Sequence, residues 1–155
     1  MKMRSTGTAP KKWNGRGRQF AVVVARFNGP ITDALKDACV STLTASGAKV
    51  RTVMVPGAFE LPLVSQRLAQ TKKFDAVIAL GCVIRGETPH DRYISMETAR
   101  GLGQAALTTN VPIVFGVLTP LTLRQAWARA GKGPNNKGVE AAEAALEMAD
   151  LMETL

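Results

Sequence analysis

Four stretches of strand length, each separated from the next by a segment of helical periodicity, restrict this chain more than any other feature. "FAVVVA" (20–25), "KVRTVMV" (49–55), "DAVIALGCVI" (75–84) and "VPIVFGVLT" (111–119) are rich in β-branched and apolar residues. Between them lie "ITDALKDACVSTLTASG" (31–47), stopped by Gly47, then "FELPLVSQRLAQT" (59–71) and "DRYISMETARGLGQAALTT" (91–109). Pro62 is tolerable in the second of these because it falls in the first turn. "LTLRQAWARAG" and "KGVEAAEAALEMADLMETL" predict two closing helices. Strands that read as continuous apolar runs and alternate with helices belong to a parallel sheet covered on both faces. Right-handed crossovers then give a three-layer α/β/α sandwich, flavodoxin-like, of about four parallel strands.

The 155 residues fit one domain with a single core. No apolar run reaches the roughly 18 residues needed to span a membrane. A net charge of +8 raises the question of nucleic acid. Six of the twenty basic residues, Lys2, Arg4, Lys11, Lys12, Arg16 and Arg18, lie in the first 18 positions, which hold no acid. Without them fourteen basic residues face twelve acidic ones, so the rest is nearly neutral. Residues 1–18 therefore read as a basic flexible arm ahead of one domain at 19–155, and nucleic acid is not the expected partner. The arm lacks the apolar stretch of a secretory signal, although some transit peptides share its basic, acid-free character. Cys39 and Cys82 fall in a helix and at a buried strand end without metal-ligand spacing, which suits a reducing cytoplasm.

In such a sheet ligands bind beyond the carboxyl ends of the strands, so unusual residues are expected in the loops that follow them. Those loops read "RFNGP", "PGAFE", "RGETPH" and "FGVLTP". Phe27 is either a stray surface aromatic or a face for a planar ring. Gly57 is read as making a turn; Glu60 either complements a helix dipole or accepts hydrogen bonds from hydroxyls. In "GETPH" the N–H groups at a helix start and the Thr88 hydroxyl suit an anion. Neither GxxxxGK[ST] nor GxGxxG is present. His90 is the only histidine. One reading makes it a helix-start residue bonded to local backbone. Zinc needs ligand partners that are missing, and no serine nucleophile elbow lies near, which leaves general acid/base work as the other reading. Arg129 has the shape for a phosphate, and Lys137 follows two asparagines in a loop.

Taken in order and at their spacings, "ARFN", "VPGAFELP", "GCVIRGETPH", "PIVFGVLT", "QAWARAG" and "NKGVEAAEAALEM" resemble the lumazine synthase family across roughly residues 20 to 150. The resemblance implies the penultimate step of riboflavin synthesis. There 5-amino-6-(D-ribitylamino)uracil condenses with 3,4-dihydroxy-2-butanone 4-phosphate to give 6,7-dimethyl-8-ribityllumazine, phosphate and water, with no metal or organic cofactor. It implies that Phe27 stacks on the pyrimidine and that Ala58, Phe59 and Glu60 hold the ribityl chain and ring, with Val83 and Ile84 adding backbone contacts. Glu87, Thr88 and Arg129 would bind phosphate, and His90 would shuttle protons. The family shares its pocket between subunits of a homo-oligomer, so Phe115, Arg129 and Lys137 would reach it from a neighbour.

Two departures stand out. The family commonly places an aromatic and then an acid after the histidine, whereas this chain has Asp91, Arg92 and Tyr93, moving the acid about 100° around the helix. The spacing of "AGKGPNNKG" resembles members that build 60-subunit icosahedral capsids from pentamers, but Pro134 and Asn135 differ from the usual pair. Pro10 also weakens the case for an arm that adds an edge strand to a neighbouring sheet.

Overall fold

In a computed structural model, described over residues 12–155, the chain forms β1 (Gln19–Ala25), α1 (Gly29–Ala45), β2 (Lys49–Val55), a 3₁₀ turn (Ala58–Glu60), α2 (Leu61–Gln70), β3 (Ala76–Cys82), α3 (His90–Thr109), β4 (Ile113–Leu118), α4 (Leu123–Ala130) and α5 (Lys137–Thr154). Every expected strand and helix is present, with ends moved by a few residues. Of the basic arm expected at residues 1–18, with its possible edge strand, residues 1–11 lie outside the described residues. From Trp13 to Arg18 the chain lies against the body. Gly15 N donates to Ser46 O at 2.8 Å, and the Arg18 guanidinium meets Asp75, Asp150 and Glu153 at 3.5, 3.2 and 2.5 Å.

The strands are parallel in the order β2-β1-β3-β4. Strand alternation sorts β1 onto two cores. Phe20, Val22 and Val24 pack with Leu35 and Leu43 of α1 and Leu146 of α5; Ala21, Val23 and Ala25 pack with Leu61 and Leu68 of α2 and Leu102 of α3. This is the expected three-layer sandwich. Each wholly buried Leu or Val contributes about 1.5–3 kcal/mol.

Uniform burial of the strands does not hold. β2 exposes Lys49, Arg51, Thr52 and Met54, and β4 exposes Phe115, because both are edge strands. The charged side chains of "KVRTVMV" guard the β2 edge against unwanted pairing.

The strand order fixes the site. From β1 the chain steps to β2 through α1, then reverses, crossing through α2 to β3 and through α3 to β4. Connections leave β1 and β3 in opposite directions, so a crevice opens between their carboxyl ends.

Candidate functional site

At that switch point lies a cavity of about 460 Å³. Three loops build it, and backbone hydrogen bonds tie each to its neighbours. After β1, Arg26 N donates to Val55 O at 2.9 Å and Phe27 N to Pro56 O at 3.1 Å, pinning this loop to the end of β2. Asn28 turns the chain into α1 with a left-handed φ of 58°, which asparagine tolerates. Its Nδ2 donates to Cys82 O at 2.8 Å, clamping the ends of β1 and β3 together. Phe27 is left 70% exposed along the wall of the cavity.

The second loop corrects the reading of Gly57. Its φ of −146° is extended backbone open to any residue, so no turn requires glycine here. What requires it is space: an added Cβ would stand 2.6 Å from Phe27 Cδ2. The Phe27 ring therefore lies directly on the Gly57 backbone. Glu60 curls back so that its Oε2 accepts the Gly57 N–H at 2.9 Å, and Ala58, Phe59 and Glu60 all line the cavity.

In the third loop Val83 N donates to Leu118 O at 2.8 Å and Arg85 N to Pro120 O at 3.0 Å, holding the segment after β3 to the end of β4. Val83, Ile84, Gly86 and Thr88 line the cavity; Glu87 is exposed and outside the lining. His90 opens α3, whose first N–H groups have no intrahelical acceptor and complement negative charge. Among the described residues the exposed His90 side chain makes no hydrogen bond or ion pair, and it lines the cavity. Asp91, half-buried, also lines the cavity, while Arg92 is exposed and outside the lining. The acid displaced by one position thus still faces the site. Cys82 lies at its base, where burial pushes the thiol up to about 11 and keeps it protonated.

Phe115, Arg129 and Lys137 are not brought to this cavity. Phe115 sits mid-strand on the β4 edge; Arg129 on α4 and Lys137 at the start of α5 share Glu140, at 3.7 and 3.0 Å. A single chain therefore assembles the aromatic wall, the Glu60 carboxylate, the helix start and the imidazole, but, among the described residues, no guanidinium. A broader groove along α1, lined by Lys36, Val40, Thr44 and Thr52, offers one lysine already paired with Asp33 and Asp37. No group of three or more metal-ligating side chains occurs among the described residues.

Residues 17–153 match the family described as 6,7-dimethyl-8-ribityllumazine synthase. The chain belongs to that family. It is 49% identical over 143 residues to the 6,7-dimethyl-8-ribityllumazine synthase of Syntrophus aciditrophicus (strain SB), covering 90% of this chain and 93% of the relative. It is 48% identical over 142 residues to the one from Desulfotalea psychrophila (strain LSv54 / DSM 12343), covering 90% and 92%.

Within this lumazine synthase fold, sequence reasoning missed Asn28, Asp91 as a lining residue, Ile94 and the buried Thr98. Asn28 carried a signal, an asparagine ahead of a Gly-Pro helix start. Thr98 carried none, since its partner is 40 residues away.

Proposed function

We propose that this chain catalyses formation of 6,7-dimethyl-8-ribityllumazine from 5-amino-6-(D-ribitylamino)uracil and 3,4-dihydroxy-2-butanone 4-phosphate. One observation carries the reading beyond family membership: an imidazole with no hydrogen bond among the described residues shares a cavity with an aromatic wall and with a helix start suited to an anion. Phe27 stacks on the pyrimidine. The backbone of Ala58 and Phe59, the Glu60 carboxylate and the backbone of Val83 and Ile84 fix the ring and ribityl chain. Glu87 and Thr88 take the phosphate through N–H groups and the Thr88 hydroxyl.

The residue types match the steps. Attack of the amine on the ketone requires a proton for the departing oxygen, and loss of phosphate requires a base on carbon and a site for the leaving anion. His90 moves these protons and serves again in ring closure. Holding two substrates together supplies much of the remaining acceleration.

Phe115, Arg129 and Lys137 join the site from a second subunit, with Arg129 completing the phosphate pocket. A homopentamer closes the ring of shared sites, and pentamers assemble into a 60-subunit capsid. The chain works in the cytoplasm, where its two free, buried thiols stay reduced. Incubation with both substrates, followed by lumazine absorbance and phosphate release, tests the activity. Equal amounts of the two products are expected, whereas binding of the pyrimidine without product marks a non-catalytic binder. Sedimentation of the same sample reads pentamer against capsid.

A further inference from the structure

The turn that carries the pyrimidine-facing groups hangs on α3 by one side chain. Thr98 is wholly buried, roughly two helical turns beyond His90. Its Oγ1 lies 3.1 Å from Ala58 O and 2.6 Å from Ile94 O, its own helical acceptor. Ala58 O accepts from Leu61 N, but Pro62 next in line has no N–H to give. The Thr98 hydroxyl, whose one proton is shared between Ala58 O and Ile94 O, stands where the missing proline N–H leaves Ala58 O without a second donor. One turn further along α3, Gly101 brings the helices together a second time: a Cβ there would stand 2.8 and 2.9 Å from Cβ and Cγ of Pro62. The turn and the start of α2 thus touch α3 at two points and cannot slide along it.

We propose that Thr98 is a positioning residue for the ribitylaminopyrimidine: it sets the register between the Ala58–Glu60 turn and His90 on the same helix. The chain of support is short. Thr98 holds Ala58 O, Glu60 holds Gly57 N, and the Phe27 ring rests on Gly57. Moving the turn displaces the wall, the carboxylate and the backbone contacts together while leaving the Thr88 loop, on the other side of His90, in place. The inference rests on the assignment of this cavity to that substrate.

Thr98→Val keeps the shape and removes the hydroxyl; Thr98→Ser keeps the hydroxyl. In the valine variant KM for the pyrimidine rises about threefold to tenfold, the range of one lost hydrogen bond, and KM for the butanone phosphate stays at the wild-type value. The serine variant returns the pyrimidine KM to wild type. Titration of the pyrimidine alone shows the same loss of affinity. A purely structural role lowers melting temperature and active-enzyme yield and moves neither KM; that result, or a wild-type pyrimidine KM in Thr98→Val, overturns the proposal. Should Thr98→Val fail to fold, Gly101→Ala decides, since it pushes Pro62 away with the hydroxyl intact and is expected to raise the same KM. Wild-type protein that binds the pyrimidine but makes no lumazine overturns the enzymatic reading instead, and the titration still judges Thr98.

Discussion

Gly57→Ala separates the site from the fold more cleanly than a substitution of any lining side chain. The extended φ of −146° accommodates alanine without backbone strain. The new methyl meets Phe27 Cδ2 at 2.6 Å and Cε2 at 3.0 Å, and Glu60 Oε2 at 3.3 Å. Carbon atoms rest at about 3.5–4.0 Å, so the ring must retreat by about 1 Å. Because Phe27 is 70% exposed, the ring swings toward water and no core contact is lost. Gly57 itself is buried, but the atoms that must yield belong to the exposed Phe27 ring, so stability should stay within about 1 kcal/mol of wild type. Binding should not. An aromatic stack contributes about 0.5–1.5 kcal/mol, which is about threefold to tenfold in Kd for the pyrimidine. Turnover falls further, up to about a hundredfold, because misplacement by 1 Å is felt in the reacting geometry. Equilibrium titration with the pyrimidine and a thermal melt on the same preparation check both halves. Unchanged Kd at unchanged melting temperature refutes the stacking role; a large drop in melting temperature refutes the claim that only the site responds.

Gly138 gives the opposite outcome. A Cβ there would stand 2.1 Å from the Leu35 carbonyl oxygen, which belongs to buried backbone that cannot yield, so Gly138→Ala should destabilise by about 1–3 kcal/mol in a urea melt through overpacking of α5 on α1. Burial pushes the Cys39 thiol up to about 12 from 9.0, so its neutral form stabilises the fold fully below pH 9. As pH rises from 9 toward 12 the unfolded chain loses this proton first and stability falls; Cys39→Ala should reduce that fall in denaturation midpoints taken across the window, Cys82 contributing a share between pH 9 and 11.

How much of this was legible in the sequence depended on how local the physics was. β1 is buried on both faces, and "FAVVVA" says so without reference to anything else. β2 reads as a strand too, but its place at the edge follows from the order of crossovers, which no single segment encodes. The site loops could be located because ligands collect at strand carboxyl ends, and Phe27, Glu60, Thr88 and His90 do meet there. The reason for Gly57 was misread, since turn chemistry is visible in a sequence and a ring packed on a glycine is not. Thr98 stayed hidden for the same reason: its partner lies across two elements, and a threonine inside a helix advertises nothing. Arg129 and Lys137 were expected at the site from their side-chain chemistry and from family resemblance, and one chain does not bring them there.

The central claim is that the imidazole at the start of α3 moves protons for lumazine formation in this crevice. Turnover with both substrates, measured side by side for wild type and His90→Ala, tests it most directly. The account predicts lumazine and phosphate in equal amounts from wild type and a rate lower by about one to three orders of magnitude in the variant, with pyrimidine affinity and melting temperature retained. Equal rates in the two proteins would contradict it.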